Sequence, residues 1–446
     1  MQNVKNVEKL GKAPVGHLLL WGCIHSSAAL FVYGIYNITD MLIISRGVNE
    51  TAAGAIAVVS PLMLILNAVS TTMGGGGAAL LSKALGKNDL RTAAKITANV
   101  LIVFWTFALS VTVTGLLFLT PVLKALGVTS RHFPYAKDYA AILLLGAVTS
   151  TAFSSLIRAE GAMRYALKIW LIPVMINLAL DCLFVFCFRL SIRGAALATV
   201  ISQITSVLMY IWFFFIRPDK TYEIKRSSFH PDFKMIQAIV RLGLPSLIAQ
   251  LSSGVSLVLV NKYLGLYSGA MAITCMGFAM KIQTFLIMPQ NGILQGMQPL
   301  LSYNYSGGQM ERVKETLKKS VILSSTYGLF AAGAVFLSGE KLLTVFTSDK
   351  SMISFGGICL TYAAITASLK NYSPLIATFY QSVGDAGKSL TVIIGSVIVR
   401  ILTIIIMANL WKTEGILWSF IVVDILTFLF TAVFRIATTK RKDVIK

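Results

Sequence analysis

LKIWLIPVMINLALDCLFVFCF, residues 167–188, carries one lysine near its start and a single carboxylate, Asp181, in its interior. A hydrocarbon core about 30 Å thick is spanned by roughly 20 residues of α-helix. In lipid every backbone N–H and C=O needs a partner within the protein, which a helix supplies to itself. The run therefore reads as a membrane-spanning helix. The same pattern recurs at 15–45, 51–82, 96–120, 138–160, 194–216, 236–265, 268–301, 319–338, 354–382, 389–411 and 415–436, which makes twelve spans. Of 446 residues, 56% are hydrophobic and 13% charged, with mean hydropathy +0.76. That is too little charge for the surface of a soluble protein of this length. The expected class is an all-α integral membrane protein.

Net charge is +21, from 39 Lys and Arg against 18 Asp and Glu. Their placement argues against nucleic acid as partner. The N-terminal segment, the even-numbered loops and the C-terminal segment hold 26 of the basic residues, and the odd-numbered loops hold 9. Such alternation is the positive-inside pattern, with both termini cytoplasmic, and an anionic lipid surface is sufficient to account for it. The expected location is the cell's inner or plasma membrane. The apolar stretch after the first 14 residues is too long for a signal-peptide core and reads as an anchor. The five cysteines are Cys23, Cys182, Cys187, Cys275 and Cys359. All lie in apolar segments and are expected as buried thiols, not disulfides.

The most hydrophilic stretch, RPDKTYEIKRSSFHPDFK (217–234), reads as a cytoplasmic linker. The domain expectation is a six-helix lobe over 1–216, a linker over 217–235 and a second lobe over 236–446. Six is even, so both lobes enter the membrane in the same sense, related by an axis along its normal. A weak internal repeat supports this. AIAVVSPLMLIL (55–66) pairs with AITCMGFAMKIQ (272–283), and GKNDLRTAAK (86–95) with GGQMERVKET (307–316), placing Arg91 against Arg312. SLIRAEGAMR (155–164) pairs with ATFYQSVGDA (377–386) through Gly161 and Gly384, and RGAALATVISQ (193–203) with EGILWSFIVVD (414–424) through Gly194 and Gly415. Four matches in one order point to duplication.

A carboxylate at the bilayer centre costs about 2.5–3.5 kcal/mol and survives where it meets a cavity, a partner or a cation. Asp181 follows Asn177 by one helical turn, on the same face. In YGIYNITDML (33–42), Tyr33, Asn37 and Asp40 share a face, and Tyr36 stacks under Asp40. In GAALATVISQ, Ala195, Thr199 and Gln203 lie one turn apart. Two carboxylates, an amide oxygen, a hydroxyl and backbone carbonyls are a hard-oxygen set suited to a small cation. Without the cation, two desolvated carboxylates take up a proton between them, so the coupling ion reads as Na⁺ or H⁺ and no other cofactor is expected. The alternative role for these residues is hydrogen bonding between helices.

These motifs, namely YNITDMLIISRG, the small-residue run before GKNDLRTAAK, NLALD, GAALATVISQ and GILQGMQPLLSYNYSGGQMERV, resemble those of multidrug and toxic compound extrusion (MATE) transporters of the bacterial, DinF-like or MepA-like type. The resemblance covers nearly the whole chain. It implies twelve helices in two pseudo-symmetric six-helix bundles and export of lipophilic organic cations or other xenobiotics, antibiotics among them, by antiport against Na⁺ or H⁺. It also implies cation-site roles for Asp40, Asn177, Asp181, Thr199 and the Ala195 carbonyl, with Tyr33, Tyr36, Asn37, Gln203 and His25 as cavity candidates. The expected assembly is a monomer. His25 stands where the family usually has a first-span proline, whereas the repeat partner GLPSLIAQ keeps Pro245. A proline bend in the first helix is thus not expected. His25 reads as either a proton relay or a hydrogen-bonding neighbour.

The second lobe holds Lys281, Lys370, Arg400 and Asp424, and an Arg400–Asp424 ion pair is expected, since intramembrane charges usually pair. GDAGKS (384–389) has serine at 382 where a P-loop needs glycine, and no ATP site is implied. Gly74–Gly77 reads as close helix packing or a hinge. With no zinc signature and no nucleophilic triad, no enzyme is expected. Two alternatives remain at the level of sequence: a lipid-linked oligosaccharide flippase of the same superfamily, against which the acidic first lobe argues, and a non-transporting membrane scaffold.

Overall fold

The computed structural model describes residues 2–125, 128, 130, 132–149, 153–344 and 346–443. Its α-helices are α1 (Gln2–Lys12), α2 (Val15–Gly47), α3 (Glu50–Gly86), α4 (Leu90–Leu117), α5 (Leu119–Ala125), α6 (Phe133–Leu145), α7 (Ser154–Ala159), α8 (Met163–Asp181), α9 (Ser191–Ile211), α10 (Phe233–Ser306), α11 (Met310–Leu343), α12 (Lys350–Ala364), α13 (Ala367–Lys370), α14 (Tyr372–Val383) and α15 (Ala386–Asp443). Among the described residues, eight helices are long and apolar enough to cross a membrane, and α12 with the α13–α14 stretch makes a ninth that bends by 44°. Three further spans complete the expected twelve. α15 divides at Trp411 and Lys412, whose backbone is not helical. α3 runs for 37 residues. The expected span 138–160 holds most of α6, a 3-10 turn (Gly146–Thr149) and α7. Residues 150–152 of the expected span 138–160, and the end of the C-terminal segment at 444–446, lie outside the described residues.

Helix starts and stops follow local chemistry. Asn49 caps α3 by accepting from Ala52 N at 2.8 Å, and Asp89 caps α4 by accepting from Thr92 N at 2.9 Å. Each satisfies one of the orphan N–H groups of a first turn. The α14 helix ends at Gly384, with φ 86°, and Asp385 then opens α15 by accepting from Lys388 N at 3.1 Å. GDAGKS is thus a helix stop followed by a cap.

The chain forms two compact units, one of residues 1–13 and 28–243, the other of 14–27 and 244–446. The boundaries differ from those expected at 216 and 236. The first part of α2 clusters with the second unit, and the start of α10 with the first. Small residues make both crossings close. A methyl group added at Gly76 would lie 2.0 Å from the Ile239 carbonyl oxygen, and one at Gly292 would lie 2.1 Å from Ser27 Oγ. The Gly74–Gly77 run therefore sits inside an unbroken helix and serves packing.

The 217–234 stretch is docked on the first unit, not extended as a free linker. Arg217, Thr221, Tyr222 and Ser228 are buried. Arg217 pairs with Glu160 at 2.7 Å and stacks over Phe213 at 3.5 Å. Tyr222 Oη meets Thr97 Oγ1 at 2.7 Å, and Asp232 N donates to Asn99 Oδ1 at 2.9 Å. The stretch is polar, yet its polar groups bond to residues of the first unit, though Arg217 Nε and Nη1 are buried without a hydrogen-bond partner.

Each unit has its own apolar core. Ile44, Val59, Leu123, Leu144 and Ile192 belong to the first, and Val260, Met276, Leu360, Ala408 and Ile416 to the second. Large apolar residues such as Leu117, Phe336 and Leu337 point outward, as lipid-facing residues do. Of the cysteines, Cys23, Cys275 and Cys359 are buried, but Cys182 and Cys187 are exposed; all five are free. Apolar sequence does not mean inward placement when the surroundings are lipid.

Candidate functional site

The first unit brings together α2, α6, α8 and α9 around two acids. Asp40, Asn177, Asp181, Ala195 and Thr199 are all buried. Asp181 ends α8 where the helix widens into a π-helical stretch, Cys182–Cys187, a local expansion common at functional positions. Pro173 lies inside the same helix two turns earlier.

The Asp40 and Asp181 carboxyl groups are buried within electrostatic reach of each other. Two buried carboxyl groups this near one another call for a proton or a cation, because two bare carboxylates repel. Asn177, with its amide nitrogen toward the acid, donates to Asp181 Oδ2 at 2.8 Å and accepts from Thr199 N at 3.1 Å. The opposite orientation offers only an Nδ2 contact with Thr199 Oγ1 at 3.5 Å, so the first satisfies the amide better. Thr199 Oγ1 donates to the Ala195 carbonyl at 3.1 Å. Asp40 Oδ1 and Asp181 Oδ1 are buried with no hydrogen-bond partner. One acceptor oxygen on each acid is therefore left for a proton or a small cation.

Aromatic residues close round the acids. The Tyr36 side chain lies near Thr199 and within electrostatic reach of both aspartates. Tyr139 of α6 is buried and within reach of the same two acids. Tyr33 packs against Tyr36 at 6.1 Å and edge-on against Trp170 at 5.3 Å. Neither Tyr139 nor Trp170 was legible in the sequence, since nothing in spacing sets them apart from the other aromatic residues of the spans.

Other expected residues fall elsewhere. Asn37 is exposed and donates to the Tyr33 carbonyl of its own helix at 2.7 Å. Its amide is thus committed to the backbone of its own helix, on the same face as Asp40. Gln203 is half-buried on α9. His25 belongs to the second unit. Its Nδ1 donates to the Trp21 carbonyl at 2.8 Å and its ring packs on Trp21 at 4.1 Å, so it is a hydrogen-bonding neighbour within its own helix. Lys281 is exposed. The expected Arg400–Asp424 ion pair is replaced by a hydrogen bond from Thr366 Oγ1 to Asp424 Oδ2 at 2.6 Å. Arg400 and Lys370 act on Asp424 through longer-range attraction. No group of three or more His, Cys, Asp or Glu side chains among the described residues could hold a metal ion.

The family model MatE matches residues 26–183 and 245–406, one stretch in each half of the chain. The chain belongs to the MatE family. It is 23% identical over 423 residues to the multidrug export protein MepA of Staphylococcus aureus, covering 94% of this chain and 93% of that protein. With the MepA of Staphylococcus haemolyticus it shares 25% identity over 399 residues, 88% of this chain and 86% of the other. In fold it is similar to a MOP superfamily transporter from Pyrococcus furiosus, with TM-score 0.89 and 21% identity over 98% of this chain and 99% of that one. An outward-facing multidrug resistance MATE family transporter matches with TM-score 0.89 and 20% identity over 97% and 98%. The MatE chain is thus a multi-pass membrane transporter with twelve helices in two bundles, as its sequence led one to expect.

Proposed function

We propose that this MatE-family chain exports lipophilic organic cations or related xenobiotics in exchange for a coupling cation, which is bound at Asp40 and Asp181. The relatives' designation as multidrug export proteins supports the substrate class. The observation that carries the mechanism is two buried acids within electrostatic reach of each other, each with one unpartnered oxygen. Ionised, the pair attracts a cationic drug, with Tyr33, Tyr36 and Trp170 offering aromatic faces for it. Loaded with the coupling cation, the pair loses its negative charge and the drug is released. The gradient makes the two loading states unequal on the two sides, and that inequality shifts the conformational populations.

Of the two coupling ions we propose H⁺, since two buried carboxyl groups close together take up a proton between them where no other cation joins them. The remaining features of the reading are a monomer in the plasma membrane with both termini on the cytoplasmic side.

The test is efflux of a fluorescent organic cation from proteoliposomes under separately imposed pH and Na⁺ gradients. The expected result is transport driven by the pH gradient alone and lost in both Asp40→Asn and Asp181→Asn. Unchanged gradient-dependent efflux in both variants would falsify the assignment, and drive by Na⁺ alone would overturn the choice of proton.

A further inference from the structure

The second unit contains a broken helix within an apolar span. Between α12 and α13 the chain bends by 44°, and such a break frees backbone carbonyls that must find other partners. Here they do. Gln283 donates to the Ala363 carbonyl, Gln290 to that of Ala367 at 2.8 Å, and Ser325 to that of Ser368 at 3.2 Å. Asn371 fixes the assembly further by donating to the Gln290 carbonyl at 3.2 Å and to Ser324 Oγ at 3.1 Å. Three amide side chains and a serine are committed to keeping this helix open. In membrane transporters, interrupted helices of this kind line ligand sites.

The break presents a charged cluster. Thr366, within it, donates to Asp424 Oδ2 at 2.6 Å. Lys370 follows Thr366 by one helical turn on α13, which packs against α15. Arg400 follows by one turn Ser396, whose Oγ meets Ser373 Oγ of α14 at 2.6 Å, and both cations are within electrostatic reach of the Asp424 carboxylate. Asp424 is buried, while Lys370 and Arg400 are half-buried. Neither cation forms an ion pair among the described residues. Two cations face one anion whose Oδ2 is already engaged by Thr366. A cluster with one surplus positive charge in a membrane span is costly unless a counter-charge joins it.

We propose that Lys370, Arg400, Thr366 and Asp424 form a second binding site, which takes the carboxylate of a zwitterionic or anionic substrate. Lys370 and Arg400 supply the charge-assisted hydrogen bonds. Thr366 holds Asp424 in place, and Asp424 keeps the two cations apart and limits the site to a single negative group. The first unit, with its paired acids, serves cationic groups, and this unit serves anionic ones. The proposal rests on the export reading only for its choice of probe.

The experiment measures binding of rhodamine B, which carries a free carboxylate, and of rhodamine B ethyl ester, by fluorescence polarisation with the purified full chain and no gradient. Lys370→Gln and Arg400→Gln are expected to weaken rhodamine B binding about tenfold or more. The ester should change less than about twofold in both variants, which also reports that they are folded. Lys370→Arg should restore the affinity for the acid. Equal losses for both dyes, or no loss for either, overturn the proposal. So does a chloride-dependent rise in melting temperature that Lys370→Gln removes while both dyes bind alike, since that result assigns the site to a free anion. Because no transport is measured, failure of Asp181→Asn to affect efflux and failure of Lys370→Gln to affect binding are separate results.

Discussion

Arg217 shows how much a single residue can hide in a hydrophilic stretch. It opens the segment whose composition suggested a solvated linker, yet it is among the most completely buried side chains of the molecule. Its Nη2 donates to Glu160 Oε2, which also accepts from Thr221 Oγ1 at 3.0 Å. Removing one partner of a buried pair strands the other charge, which typically costs about 3–5 kcal/mol. Arg217→Ala should therefore lower the melting temperature of the purified protein markedly. Replacing both residues, Arg217→Met with Glu160→Met, should recover most of the loss, because no charge is left unpaired. A double variant as unstable as the single one would mean that the Phe213 stacking and the fit of the segment matter more than the charge. At the cation site the same scale separates what was legible from what was not. Asp40 and Asp181 stood out because a carboxylate in an apolar run is costly. Tyr139 is as close to them in the fold, but a tyrosine in a span raises no such alarm.

At the scale of elements, the internal repeat is more evident in turn geometry than in residue identity. Gly161 and Gly384 both take positive φ, 74° and 86°. In both turns the next residue closes back onto the helix, Ala162 N to Ile157 O at 3.2 Å and Asp385 N to Tyr380 O at 2.8 Å. This is the glycine helix stop, in which the left-handed residue lets two trailing N–H groups reach orphan carbonyls. The turn at 86–89 and the turn at 306–309 match in the same way, with Asn88 (φ 57°) answering Gly308 (φ 76°). That register places Arg91 opposite Glu311, one residue away from the pairing with Arg312 read from the sequence. The shift is understandable: identical backbone turns accept either asparagine or glycine, so glycines aligned by identity mislead by one. Gly161→Ala and Gly384→Ala should each destabilise by about 1–2 kcal/mol, the cost of a Cβ in the left-handed region. Equal shifts in thermal unfolding midpoint for the two would confirm that they are the same element twice. The broken spans repeat too. α6 with α7 in the first unit and α12 with α14 in the second are both interrupted, which the apolar runs at 138–160 and 354–382 concealed, since hydropathy does not register where a helix bends.

For the whole molecule, orientation is a matter of charge. The C-terminal segment and the even loops carry the excess of Lys and Arg, and the proposed orientation puts that excess on the cytoplasmic side. A reporter fused after the last residue should be active only when it requires the cytoplasm, and a cysteine placed at Lys412 in the last odd loop should react with an impermeant reagent from outside. Labelling of that cysteine only after lysis would reverse the topology. The composition of the two units belongs to this scale as well. Residues 14–27 cluster with the second unit and residues up to 243 with the first, so α2 and α10 each run from one unit into the other. Hydropathy marks where a helix crosses the membrane but carries no information about which neighbours it packs on. The glycines at 76 and 292 do carry some, for close backbone approach requires them, although nothing in the sequence says which backbone approaches.

The sequence by itself determined the class, the number of spans, the turn residues, the two-lobed plan and the first-unit acids with Asn177 and Thr199 beside them. Each of these follows from a local cost that the chain cannot avoid: an apolar run needs a membrane, a left-handed turn needs glycine or asparagine, and a carboxylate in lipid needs a counterpart. Only the tertiary structure decided that the 217–234 stretch is docked, that Asn37 and His25 bond to carbonyls of their own helix, and that Thr366 takes the place expected for Arg400 on Asp424. These outcomes depend on which distant side chain arrives first at hydrogen-bonding distance, and that is set by helix rotation and by where the helices break, neither of which the spacing of apolar residues encodes.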